Sequence, residues 1–208
     1  MQGSNRWMIL MAAATMAVTT AAPKAASAEK LTVYLTDQAN VDPCLKSTAK
    51  AQAQQIFARY GISLRWKDGR RPASNFDGSI AIELVHNAPS LDLATAHALA
   101  HAKMKEGVSI AVFWDRIRYK HHAAAVLAHV FVHEITHLLQ GVPRHSETGI
   151  MKGNWNRLDF AAMVPGEKQG VEPLQFETED LELIREGLAN RKARAVAASD
   201  SMLRKVGE

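Results

Sequence analysis

The stretch "VFVHEITHLLQGVPRHSETGIMK", Val130 to Lys152, holds three histidines, a glutamate between two of them and a methionine near its end. His133 and His137 are four positions apart, which on a helix places them about 40° from one another and about 6 Å along the axis, on one face. Two imidazoles so placed can hold a single ion. Glu134 completes a His-Glu-x-x-His pattern, in which the histidines ligate Zn²⁺ and the glutamate acts on the water that the metal activates. Zinc lowers the pKa of such a water from 15.7 toward about 7, and a neighbouring carboxylate takes its proton during attack on a carbonyl. The chemistry this pattern implies is hydrolysis, most naturally of a peptide bond, with a protein or peptide expected as substrate and one catalytic zinc ion as cofactor. In this composition the bare pattern is expected by chance about 0.02 times, so chance is a poor account of it.

A catalytic zinc takes three protein ligands and keeps an open position, so a third ligand must come from outside the helix. Gly141 permits a sharp reversal and Pro143 stops the helix from continuing, while the residues up to His145 span as much as about 13 Å. That is ample for His145 to return to an ion beside His137. Glu147, two positions on, is its rival, and spacing alone does not exclude it. A glutamate as third ligand would give a gluzincin arrangement, for which Glu147, Glu167 and Glu172 are available. A neutral imidazole leaves the zinc more positive toward its water, which favours His145.

"HEITHLLQGVPRH" followed by "SETGIM" resembles the metzincin zinc peptidases, in which a glycine turns the chain after the helix, a third histidine completes the metal site and a methionine lies in a turn beneath it. The resemblance implies His133, His137 and His145 as zinc ligands, Glu134 as general base and Met151 as the turn methionine. The usual spacing, His-Glu-x-x-His-x-x-Gly-x-x-His, is longer here by one residue in each half, and no tyrosine follows Tyr119. The cysteine-rich second zinc site of archaeal-type members is absent. In enzymes of this kind the segment after the methionine lines the pocket for the residue following the cut, which makes Trp155 a candidate there; the alternative is that Trp155 covers the core. No other substrate-binding residue is evident.

These residues need a frame to hold them. "KLTVYLTD" (Lys30 to Asp37), "ISLRW" (Ile62 to Trp66) and "SIAIELVH" (Ser79 to His86) alternate as strands do. "VSIAVFWDRIRY" (Val108 to Tyr119) reads as a further strand. Between the first two lies a helix with Asp42 as its cap, Pro43 at its first position and Gly61 as its stop. "LDLATAHALAHAKMKEG" (Leu91 to Gly107) suggests a short helix, and the alanine- and leucine-rich run from about His121 to Gln140 a long one that carries the histidine pattern. From Thr178, Leu181, Ile184 and Leu188 recur at helical spacing, with acids in the first turn and Arg191, Lys192 and Arg194 expected near the end. The Gly-, Pro- and Asn-rich stretch between Lys152 and Pro173 is expected to be a loop. The fold class is α/β (α+β, zincin-like): a mixed twisted sheet with an active-site helix, then a small C-terminal subdomain ending in a helix that packs against the sheet domain.

The 208 residues begin with Arg6, an apolar run from Trp7 to Val18 and an Ala26-Ser27-Ala28 pattern, which together read as a signal peptide spanning 1–28. The remainder, 29–208, suits a single metzincin-like zinc peptidase domain, secreted or periplasmic, with no membrane attachment once the signal is removed. The net charge of +4 includes Arg6 and Lys24, so the mature chain is close to neutral and offers no case for a nucleic-acid partner. Cys44, the single cysteine, rules out an internal disulfide and is expected to be buried. His129 is expected to pack or to support a ligand, the His97 and His101 pair to lie on a solvated helix face, and His121 and His122 to be exposed. A non-catalytic extracytoplasmic zinc-binding or interaction protein that retains the fold is the competing reading; Glu134 counts against it, since storing a metal requires no such carboxylate.

Overall fold

The computed structural model describes residues 28–72, 78–88, 98–103, 108–164, 166 and 168–206. The element order is β1 (Glu29–Asp37), α1 (Pro43–Ala58), β2 (Ile62–Asp68), β3 (Ile80–Val85), β4 (Ala100–Lys103), β5 (Ser109–Phe113), α2 (Trp114–Ile117), α3 (Ala123–Gln140), α4 (Arg157–Ala162) and α5 (Thr178–Val206). The strands form one five-stranded sheet in the order β2-β1-β3-β5-β4. Every neighbouring pair is parallel except β4 with β5, which is antiparallel and leaves β4 at the edge.

Alternation in the sequence becomes alternation in burial. Leu31, Val33 and Leu35 on β1 and Ile80, Ile82 and Leu84 on β3 are buried, while the residues between them are only half-buried. The buried strand residues share one core with those of α1 and α3; α1 packs on α3 and on β2, and α3 also touches β4 and β5. The first of these helices is started by Asp42, whose side chain accepts from the Leu45 amide at 2.9 Å, with Pro43 at the first turn.

The long helix α3 is buried from Ala125 to Gln140 on all its faces, as befits a helix with apolar residues around its whole circumference. It is enclosed by α1, the sheet and α5. Gly141 ends it at φ 72°, donating its amide to the His137 carbonyl at 2.9 Å.

Several expectations need correction. Residues 100–103, assigned to a short helix, are strand β4, because Ala100 and Ala102 alternate into the core and pairing with β5 outweighs the helix preference of alanine. The rest of that expected helix falls mainly outside the described residues. The strand expected over Val108 to Tyr119 ends at Phe113; beyond it Trp114 and Ile117, three apart, turn inward on α2. The expected loop after Lys152 contains α4, started by a reciprocal cap between Asn156 and Asp159. Helix α5 packs on α3 of the sheet domain, as expected, but runs to Val206, so Arg191, Lys192 and Arg194 lie mid-helix rather than near its end. Cys44 is exposed in the first turn of α1. The expected signal peptide lies outside the described residues apart from Ala28, and among those described no helix is long and apolar enough to cross a membrane.

Candidate metal centre

His133 and His137 project from one face of α3, and the turn at Gly141 brings His145 to meet them. The Nε2 atom of His137 lies 3.0 Å from Nε2 of His133 and 3.2 Å from Nε2 of His145. His133 and His137 are buried, whereas His145 closes the group from the solvent side.

A short loop follows and returns to His133. The Ser146 amide donates to the Met151 carbonyl at 2.9 Å, which closes Ser146 to Met151 into a tight turn. Gly149 turns the chain at φ 73°, and the Ile150 amide is held by the Gln175 carbonyl at 2.9 Å. Met151 is fully buried there, at 0% exposure. The carbonyl of Ile150 points back and accepts from Nδ1 of His133 at 2.8 Å. A carbonyl can only accept, so that nitrogen carries the proton and Nε2 presents its lone pair to the other imidazoles.

The segment beyond Met151 covers the group. The ring of Trp155 stands edge-on to His133 with centroids 5.4 Å apart, and its Nε1 donates to the Gly149 carbonyl at 3.3 Å. Lys152 pairs with Asp159 on α4 at 2.7 Å, which ties this return to the helix. Gly153 lies flat against His145: a Cβ at that position would stand 3.2 Å from the ring's Cγ.

Burial sets the electrostatics. It is the largest influence on His133, lowered from 6.5 to about 3, and on His137, lowered to about 4, with the neighbouring imidazoles acting in the same direction. Burial also lowers His145. The metal-free group is thus three neutral imidazoles with lone pairs available. Glu134, buried beside His133, is pushed up from 4.5 to about 8 by burial, against the opposing effect of the Ala102 amide on edge strand β4, which donates to its carboxyl.

The donor set suits zinc. Tetrahedral Zn–N bonds of about 2.0–2.1 Å imply nitrogen separations of roughly 3.3 Å, close to the 3.0 and 3.2 Å observed. No protein-family model matches the chain, and no curated protein matches it in sequence. Among solved structures, the crystal structure of archaemetzincin from Methanopyrus kandleri aligns with a TM-score of 0.55 at 15% identity, covering 81% of this chain and 99% of that one. The chain is similar in fold to an archaemetzincin. At that identity the likeness to archaemetzincin concerns the fold, a five-stranded mixed sheet with helices, and leaves the chemistry to the side chains.

The structure brings His133, His137 and His145 together and sets Glu134 beside the first of them. Among the described residues no carboxylate joins the group, so Glu147 and Glu172 stand apart from it; Glu167 lies outside the described residues. His129 is buried one turn earlier, where Nδ1 contacts the Ala125 carbonyl at 2.8 Å, and does not join the group. His101 lies exposed on β4 rather than on a helix, and His97 falls outside the described residues. The sequence reading missed Gly153 and the buried Asp180 of α5. Gly153 could have been suspected only as a glycine close to the pattern; Asp180, far along the chain, left no local signal.

Proposed function

We propose that this chain is an exported zinc-dependent endopeptidase that hydrolyses peptide bonds of protein or peptide substrates, with His133, His137 and His145 as metal ligands and Glu134 as general base. The observation that carries the reading is the meeting of three neutral imidazoles beside a buried carboxyl on the same helix. The likeness of the fold to archaemetzincin supports it. Export rests on the character of residues 1–28, with its single early arginine, apolar run and Ala-Ser-Ala end.

Bound to this group, zinc would polarise the scissile carbonyl and lower the pKa of a water toward about 7. The protein's own part is to hold the imidazoles in one tautomer and to manage the proton. Ile150 fixes the tautomer of His133 through its carbonyl. Glu134, ionised when a cation occupies the neighbouring imidazoles, would take a proton from the attacking water and return it to the leaving amine. Trp155 shields the ring of His133 and leaves the side of His145 open to substrate.

The test is to strip the purified protein with a chelator, measure bound metal, and assay cleavage of an unfolded protein mixture before and after zinc is restored. We expect one zinc per chain and activity that disappears and returns with it. Glu134→Ala is expected to keep the zinc and lose turnover. Activity indifferent to chelation would overturn the reading, and stoichiometric zinc without cleavage by the unsubstituted protein would favour the non-catalytic alternative.

A further inference from the structure

We propose that Asp180, in the first turn of α5, is a positioning residue for His145: it grips the residues on both sides of that histidine and so sets where the third imidazole stands. The proposal rests on the zinc reading above. Its starting point is a difference between the imidazoles. His133 is oriented by the Ile150 carbonyl, whereas among the described residues the ring of His145 has no hydrogen-bond partner except His137. The direction of its ring is therefore inherited from its backbone and from the surface of Gly153 against which it lies.

That backbone is held from both sides by one carboxylate. Oδ1 of Asp180 accepts from Arg144 Nη1 at 2.7 Å and lies 2.8 Å from Ser146 Oγ, which also reaches Oδ2 at 2.9 Å. Arg144 and Ser146 are the immediate neighbours of His145, and they touch each other, Nη1 to Oγ, at 3.1 Å. The Glu177 amide donates to Oδ2 at 3.1 Å, and Gln140 Nε2 lies 3.4 Å from Oδ1. Asp180 is fully buried, at 0% exposure. A buried carboxylate satisfied from several directions has little freedom to move, and it passes that rigidity to whatever it holds.

The grip also refers His145 to the helix that carries the other two histidines. Helix α5 lies so close to the end of α3 that a Cβ on Gly187 would stand 1.6 Å from the Leu139 carbonyl oxygen. Arg191 reaches the Leu138 carbonyl at 3.5 Å, and Gln140, the last residue of α3, reaches Asp180 itself. The path from His137 to His145 through space thus runs from α3 to Asp180 and on to Arg144 and Ser146. It is independent of the covalent turn through Gly141 and Pro143, whose length is the irregular feature of the sequence pattern.

The test is a double-mutant cycle on zinc affinity, read by competition with a chromogenic chelator and accompanied by the thermal midpoint of the metal-free protein. Asp180→Asn preserves shape and removes the charge that holds Arg144. We expect it to weaken zinc binding about 10- to 100-fold in the unsubstituted background and to cost nothing further when His145→Ala is already present, because the only route from Asp180 to the metal is then gone. A purely structural role would lower the thermal midpoint and leave the affinity of the folded protein unchanged, or lower affinity equally in both backgrounds; either result overturns the proposal. Should Asp180→Asn fail to fold, Ser146→Ala removes one arm of the grip with a smaller packing cost; it is expected to weaken zinc binding at least about threefold only when His145 is present, and no change overturns the proposal. If the unsubstituted protein binds no zinc, the metal-centre reading fails and this proposal falls with it. Tight zinc binding unaltered by Asp180→Asn would sink the proposal alone.

Discussion

Nδ1 of His133 donates to the carbonyl oxygen of Ile150 at 2.8 Å, so the residue just before Met151 dictates which nitrogen of the first helical histidine faces the metal group. The turn holding Met151 is therefore part of how the site is aimed. In the metal-free protein at neutral pH, nitrogen NMR of the imidazoles should find His133 neutral with the proton on Nδ1 and none on Nε2. The opposite tautomer would mean that the turn does not orient this ring.

Met151, next to Ile150 in that turn, is fully buried. Replacing it by alanine should cost about 2–5 kcal/mol, since deletion of a buried side chain loses its transfer energy and leaves a cavity. Leucine, of similar volume, should cost less than about 1.5 kcal/mol. Chemical denaturation of the metal-free forms measures both, and equal losses would show that the site tolerates no change of shape at all.

Close approach of α5 to α3 makes Gly187 a sharper test of packing. Alanine is intrinsically better in a helix by about 1 kcal/mol, yet its Cβ would stand 1.6 Å from the Leu139 carbonyl oxygen. The clash should win, and Gly187→Ala should lose roughly 3 kcal/mol or more in denaturation. A stabilised variant would mean that α5 is not seated as described.

The metal-free protein should lose stability toward both acid and alkali, by opposite mechanisms. Burial lowers His129, His133 and His137 from 6.5 to about 4, about 3 and about 4. The unfolded chain then binds protons that the folded chain refuses, so their contribution is full above pH 6.5 and is lost as the pH falls toward those values. Glu134 is raised from 4.5 to about 8, so its contribution is full below pH 4.5 and is lost as the pH rises through 8. Glu134→Gln should therefore stabilise the metal-free protein more at pH 8 than at pH 5, by more than about 1 kcal/mol at the higher pH. The same gain at both, measured by urea unfolding, would show that Glu134 carries no such strain.

What could be read in the sequence, and what could not, follows the range of the interactions. Asp42, Pro43 and Gly141 act within a turn of where they stand, so α1 and the end of α3 were legible. The pattern around His133 was legible too, because helical spacing alone sets two imidazoles side by side. Strand β4 was not: His101 and Lys103 point outward only because β5 lies alongside, and a run of alanines carries no sign of that neighbour. Helix α4 had a signal, the Asn156 and Asp159 cap, which the surrounding glycines and prolines obscured. Asp180 acts across 34 to 36 residues of chain, a separation at which spacing carries no information.

X-ray absorption at the zinc edge of the purified, zinc-loaded protein tests the central claim most directly. The account predicts one zinc per chain bound by three imidazole nitrogens at about 2.0–2.1 Å, with an oxygen that does not come from the protein completing the shell. Two imidazoles with a carboxylate, a sulfur ligand, or no stoichiometric zinc would contradict it.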